Sequence, residues 1–71
     1  MNKTNYSHGS ILHVRDFGGN EYHVEVINKE SDIKNGRSGW DGKVIKTIRG
    51  SEWPSEFGKW GYDDQIIAIL S

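Results

Sequence analysis

The sequence predicts an all-β fold, a single small antiparallel β-barrel or strongly bent sheet of four to five strands. Nine glycines and many β-branched residues accompany little 3.6-residue periodicity, a combination typical of short strands joined by tight turns. With 71 residues, the chain has room for one domain with one small core. Its first nine residues are mostly polar, and we expect them to form a flexible N-terminus.

Two neighbouring segments predict a β-hairpin at the start of this fold. Over residues 21–28, apolar and polar side chains alternate, which is the pattern of a half-buried strand. Residues 10–16 repeat that alternation, so we expect the two strands to pair. The side chains expected on the shared inner face are Leu12, Val14, Tyr22, Val24 and Val26.

The inner face also predicts a register, because a one-residue slip would expose the whole apolar set to water. We expect Val14 to lie opposite Val24, which closes a three-residue loop over residues 18–20. The same register places His13 opposite Glu25 on the outer face.

The middle of the chain predicts a connection followed by a third strand. Residues 28–39 are polar and contain Asn35-Gly36, a strong turn signal, so we expect a long connection there. A strand over residues 41–49 follows, mixing β-branched with basic side chains.

The last third predicts an ordered aromatic loop and a final strand. Residues 51–64 are rich in aromatic residues and glycine, and such rings are not left exposed together in a monomer without a reason. Residues 65–70 are apolar on both faces and rich in isoleucine, which favours a buried strand. A short helix capped at Asp63 is the alternative for this segment.

One short stretch carries a resemblance to known families. Residues 39–44 read G-W-D-G-K-V, which fits the pattern G-x-x-G-x-V. The pattern resembles the turn-into-strand signature of small SH3-like and KOW-type β-barrels, and it covers six residues. The resemblance implies a meander of short, strongly bent strands. It also implies peptide binding through aromatic loops, as in SH3-like barrels.

Composition excludes several classes of function. Nine basic and ten acidic side chains give a net charge of -1, so no overall positive field attracts nucleic acid or anionic lipid. The absence of cysteine excludes disulfides and thiolate metal sites. No apolar run approaches the length of about 18 residues that a membrane span needs. We therefore expect a cytoplasmic protein that does not bind membranes.

The chain offers no constellation for catalysis. Asp63 and Asp64 are adjacent, so on an extended segment they point to opposite sides and cannot act as an acid–base pair. His13, His23 and Glu25 share the predicted outer face, but no fourth metal ligand is evident, and we interpret them as cross-strand pairs. We expect a non-enzymatic protein that needs no cofactor or metal.

The aliphatic residues are too few to stabilise this fold alone. Some of the aromatic side chains must therefore join the core, or a partner chain must cover apolar surface. Pairing of edge strands in a symmetric homodimer would provide such a cover.

The aromatic stretch is also the best candidate for a binding site, because tryptophan and tyrosine are enriched where protein partners dock. We expect a binding protein that docks on a partner protein, of the kind that phages and mobile elements use to regulate or inhibit host machinery. Trp60, flanked by a lysine and a glycine, is the ring least committed to the core. The predicted partner-binding residues are Trp53, Phe57, Lys59, Trp60 and Tyr62.

An alternative is binding of nucleic acid or a nucleotide. Bases would stack on the loop tryptophans while basic side chains contact phosphates. The residues assigned to the phosphates are Arg37, Lys43, Lys46 and Arg49.

Overall fold

The computed structural model describes residues 5–54 and 56–71, and they are almost all β. The strands form one antiparallel sheet with the order β4-β3-β2-β1-β5, and a 3-10 turn at Asp63–Gln65 joins β4 to β5. This confirms the prediction of an all-β fold with four to five antiparallel strands. The strands are β1 (Ile11–Arg15), β2 (Glu21–Lys34), β3 (Arg37–Arg49), β4 (Lys59–Tyr62) and β5 (Ile66–Ile69).

The short link between β4 and β5 requires a curled sheet. These two strands lie at opposite edges, which in a flat sheet of five strands would be about 19 Å apart. The chain from Tyr62 to Ile66 can span at most about 14 Å, and a 3-10 turn rises only about 2 Å per residue. The sheet therefore bends strongly. It does not close into a barrel, since β4 and β5 do not pair within the described residues.

One face of the sheet carries the core, and it holds the apolar side chains that alternation assigned to it. Three aromatic residues complement the aliphatic ones, which is one of the two outcomes expected from the shortage of aliphatics. The core cluster consists of Tyr6, Leu12, Val14, Tyr22, Val24, Val26, Trp40, Val44 and Ile66.

The first hairpin has a different register from the predicted one. Val24 pairs with Leu12 rather than with Val14, so the predicted register and loop are wrong. The Asp16 carboxylate determines where the chain turns, because Oδ1 accepts hydrogen bonds from the backbone N of Asn20 (2.9 Å) and from its side chain. Both registers keep the same side chains on the inner face, so alternation alone cannot distinguish them.

The polar segment over residues 28–39 is not a long connection, and this prediction is wrong. Strand β2 continues to Lys34 and β3 begins at Arg37, with Asn35-Gly36 as the two-residue turn between them. Both turn residues have positive φ, 58° and 72°, as a type I′ hairpin turn requires. The turn signal was therefore correct. A backbone ladder needs no apolar side chains, which is why the polar composition was misleading.

The stretch that carries the resemblance to SH3-like and KOW-type barrels lies inside β3 rather than in a turn. Its glycines permit close backbone approach, since a Cβ on Gly39 would collide with the carbonyl oxygen of Gly61. A Cβ on Gly42 would likewise collide with the carbonyl oxygen of Glu25.

The end of the aromatic stretch and the final segment both form strands. Residues 59–62 belong to β4 rather than to a loop, and β5 is a strand rather than a helix. Burial of β5 on both faces was expected and is wrong, because part of the strand is exposed to solvent. Ile66 is 1% exposed, whereas Ile67 and Leu70 are 39% and 48% exposed.

The N-terminal segment, for which a flexible terminus over residues 1–9 is expected, contributes one residue to the core. Tyr6 is 4% exposed, and its hydroxyl donates a hydrogen bond to Asp63 Oδ1 at 2.5 Å. Residues 1–4 lie outside the described part of the chain. No described helix is both long enough and apolar enough to cross a membrane.

Candidate functional site

Three aromatic side chains from two distant parts of the sequence meet at one place on the protein. The ring centre of Tyr62 lies 5.3 Å from that of Trp60 and 6.1 Å from that of Phe17. Phe17 is 81% exposed and Trp60 is 42% exposed, while Tyr62 is buried. Tyr62 therefore links two exposed rings into one feature, which we call the aromatic surface.

The fold holds these rings in place from several sides. Trp60 and Tyr62 occupy alternate positions of β4, so their side chains share one face, and their rings meet edge to face at 88°. Asn35 Nδ2 donates a hydrogen bond to the Tyr62 hydroxyl at 3.1 Å. The backbone N of Tyr62 donates to Gln65 Oε1 at 2.8 Å. The aromatic surface is thus tied to both the β2–β3 turn and the 3-10 turn.

Two cationic side chains from the β2–β3 hairpin border the aromatic surface. Lys34 Nζ lies 5.3 Å from the ring centre of Trp60, and Arg37 Cζ lies 3.9 Å from that of Tyr62. Both distances are within the range of cation–π attraction. Arg37 also forms an ion pair with Asp64.

Asp63 anchors the N-terminal segment beside the aromatic surface. Its carboxylate accepts hydrogen bonds from the Tyr6 hydroxyl at 2.5 Å and from Ser38 Oγ at 2.6 Å. Burial raises the pKa of Tyr6 well above its usual value. The hydrogen bond to Asp63 and the negative charge of Asp63 raise it further. Asp63 and Asp64 therefore serve separate contacts in a shallow groove. The residues that line it are Arg37, Ser38, Tyr62, Asp63 and Asp64.

No protein family, curated protein or solved structure matches this chain. Its function is therefore inferred from the geometry and chemistry of the side chains themselves. The aromatic surface offers apolar area bordered by positive charge.

Two of the predicted partner-binding residues are instead built into the fold. Lys59 has a side chain that is only 10% exposed, with Nζ 3.6 Å from Asp16 Oδ2 and 4.1 Å from the ring centre of Trp53. Trp53 is half-buried against Tyr22 and donates from Nε1 to the carbonyl oxygen of Phe57 at 3.1 Å. These contacts fix the β3–β4 loop. Phe57 is 59% exposed but makes no ring contact with the aromatic surface within the described residues.

Sequence reasoning missed Phe17, which is the most exposed large apolar residue described. The sequence feature that could have identified Phe17 is its position between Asp16 and two glycines, at the tip of a tight loop. A phenylalanine at such a tip cannot be buried by its own hairpin, and it must either pack on another element or remain exposed.

The basic residues proposed for phosphate binding do not form one patch. They are spread from the beginning to the end of β3. Of the four, Arg37 is the one that forms an ion pair with a carboxylate among the described residues. Arg37 bonds to Asp64, while Lys43, Lys46 and Arg49 pair across the ladder with Glu25, His23 and Glu21.

The outer-face histidines pair with each other. His13 lies directly opposite His23, with ring centres 5.1 Å apart, and the predicted pairing of His13 with Glu25 is wrong. His13 Nε2 is 2.9 Å from Glu21 Oε1. Burial lowers the pKa of His23, and the charges of His13 and Lys46 lower it further. Within the described residues, no three such side chains are grouped to hold a metal ion.

Proposed function

We propose that the protein is a non-enzymatic binding protein that docks on a partner protein through the aromatic surface. The observation that supports this most directly is that Phe17 and Trp60 stay exposed although both contact the buried Tyr62 ring. Rings held rigidly at a surface offer large contact area at low entropic cost, and they are enriched at the centres of protein interfaces.

The proposed docking site retains Trp60 and Tyr62 from the residues that the sequence suggested and adds Phe17. Trp53 and Lys59 are assigned to the fold, because their contacts with each other and with Asp16 hold the β3–β4 loop. Phe57 lies outside the site and serves as a control.

The resemblance to SH3-like barrels belongs to this proposal. Such barrels bind peptides through loop aromatics, which agrees with a docking role for the aromatic surface. We further propose that the protein is a cytoplasmic regulator or inhibitor of host machinery, encoded by a phage or mobile element. The small size and the lack of a catalytic constellation in the sequence support a role of this kind.

The experiment is affinity capture from the source cell with the full chain as bait. Trp60→Ala should abolish capture of the partner and leave the melting temperature nearly unchanged, because an exposed interface ring typically carries about 2 kcal/mol or more of binding energy. Phe57→Ala removes another exposed ring and should retain binding. Loss of capture with Phe57→Ala but not with Trp60→Ala would contradict the site.

The alternative is nucleic-acid or nucleotide binding through the basic residues of β3 and the loop tryptophans. Phosphate contacts weaken steeply as salt concentration rises, whereas an apolar protein interface does not. If Lys43→Glu combined with Lys46→Glu abolishes binding while Trp60→Ala has no effect, the alternative replaces the docking proposal.

A further inference from the structure

The β2–β3 turn places two positive charges opposite each other. Lys34 pairs with Arg37 across Asn35-Gly36, and like charges at directly opposed positions destabilise a sheet. Arg37 is compensated by its ion pair with Asp64. Lys34 has no ion-pair partner among the described residues, although Asp41 lies opposite Trp60 in the β3–β4 ladder.

Three carboxylates around this turn, Asp32, Asp63 and Asp64, are engaged elsewhere. Asp32 Oδ1 accepts a hydrogen bond from the backbone N of Gly36 at 2.9 Å. Asp63 accepts one hydrogen bond on each oxygen, and Asp64 binds Arg37. Lys34 instead lies over the ring of Trp60, which leaves its positive charge at the border of the aromatic surface.

We infer that the aromatic surface recognises an extended acidic segment of the partner protein, in which carboxylates flank a large apolar side chain. The apolar side chain packs on Phe17 and Trp60, and a carboxylate lies against the Lys34 ammonium. Such a segment supplies a carboxylate for the Lys34 ammonium together with the apolar group that the rings can cover. This inference rests on the proposed function, because it names the chemistry of the partner at the same surface.

The ring geometry favours an apolar side chain over a nucleic-acid base. A base stacks on an open and parallel ring face. Trp60 and Tyr62 meet at 88°, and each has a cation over its ring, Lys34 and Arg37 respectively. A base therefore finds no open, parallel ring face there, whereas an apolar side chain can pack on the exposed parts of Phe17 and Trp60.

The probe is a library of random twelve-residue peptides displayed on phage and selected on the immobilised full chain. The baits are the wild type, Trp60→Ala, Lys34→Glu and, as a matched charge control, Lys46→Glu. Lys46 pairs with His23 near the other end of the β2–β3 ladder, so it changes the net charge equally without touching the aromatic surface.

The wild type should enrich peptides that combine acidic residues with a large apolar residue. Lys34→Glu should weaken binding of a selected peptide by about tenfold or more, and Lys46→Glu should leave it unchanged. Lys34→Glu also turns the like-charge pair with Arg37 into an opposite-charge pair. Its melting temperature should therefore equal or exceed that of the wild type, which separates lost recognition from lost folding.

The other outcomes distinguish the two proposals. Peptides whose enrichment needs Trp60 but shows no acidic excess would overturn this inference and leave the docking function standing. Peptide binding that is the same with Trp60→Ala, or no enrichment at all, would overturn both. Both would also fail if an oligothymidylate bound more tightly than any selected peptide and lost its binding with Lys34→Glu.

Discussion

The indole of Trp40 packs on the backbone of Gly61, its register partner in the β3–β4 pair. A Cβ atom at Gly61 would come within 2.6 Å of Trp40 Cζ2 and 2.7 Å of Gln65 Oε1. Trp40 is 1% exposed, so it cannot move outward without leaving the core. The strand that carries Trp60 and Tyr62 is thus seated directly on the largest core side chain.

Gly61→Ala should therefore destabilise the protein by about 1 to 3 kcal/mol, the usual cost of overpacking. Urea unfolding measures the difference. Gly58→Ala is the matched control, because a Cβ there would meet only the carbonyl oxygen of Gly42 at 3.6 Å, an ordinary contact. Equal free energies of unfolding for the two variants would show that the Trp40 contact is not restrictive.

Paired cysteines can test the register of the first hairpin, since the natural chain has none. His13→Cys with His23→Cys should oxidise readily, because directly opposed residues lie within the Cα separation of about 4.4 to 6.8 Å that a disulfide spans. His13→Cys with Glu25→Cys tests the register that alternation suggested and should stay reduced. Non-reducing mass spectrometry reads out both variants. Faster oxidation of the second pair would refute the observed register.

Acid should destabilise the fold, beginning at the pH where histidine titrates. The fold lowers the pKa of His23 below its usual 6.5, so it favours the neutral imidazole. The stabilisation that comes from the neutral His23 imidazole is fully present above pH 6.5. It is lost as the pH falls through the lowered pKa of His23. Urea unfolding at a series of pH values should show this loss in the wild type and not in His23→Gln. Stability that rises as the pH falls from 6.5 would contradict the assignment.

Glu21 and Asp16 add a second loss at lower pH. The hydrogen bond with His13 holds the pKa of Glu21 below its usual value, against the opposing effect of burial and with help from Arg15. Burial raises the pKa of Asp16, but hydrogen bonds from Asn20 and other charged or polar neighbours outweigh it and lower the pKa. At pH values above their usual pKa values of 4.5 and 3.8, the ionised carboxylates of Glu21 and Asp16 therefore stabilise the fold. This stabilisation is lost as the pH falls through their lowered pKa values.

We propose a symmetric dimer formed through β5. No charged residue lies between Gln65 and Ser71, and Ile67 and Leu70 are 39% and 48% exposed at this sheet edge. Uncharged apolar edges readily pair with another strand. Sedimentation at high micromolar concentration should detect the dimer, and Ile67→Lys should dissociate it. Ile45→Lys, at a site on β3 that is 50% exposed, should not, and a monomeric wild type would refute the proposal.

The inner face could be predicted because alternation reports directly on burial. Tyr22, Val24 and Val26 are all 1% exposed or less. The register could not be predicted, because it depends on the hydrogen bonds that the Asp16 carboxylate makes with the loop, and two registers satisfy the same faces. Tyr6 was missed for a similar reason, since its contacts, such as the hydrogen bond to Asp63, are with residues distant in sequence.

The candidate site was predictable only in part. Local composition singled out Trp60 and Tyr62, which lie in one aromatic stretch. It could not bring in Phe17 or Lys34, because these residues reach the same surface through the curl of the sheet. Composition also could not separate Trp53, whose ring packs beside Lys59 and Tyr22, from an exposed ring such as Trp60.

Pairing of β1 with β5 ties together strands from opposite ends of the sequence. During synthesis, β1 leaves the ribosome long before the strand that must complete its edge exists. Leu12 and Val14 lack their partners Ile66 and Ile69 during this time, so the nascent chain presents an incomplete sheet until β5 has been made. Since contacts between distant residues also slow folding, the newly made protein should depend more on protection from chaperones than its small size suggests.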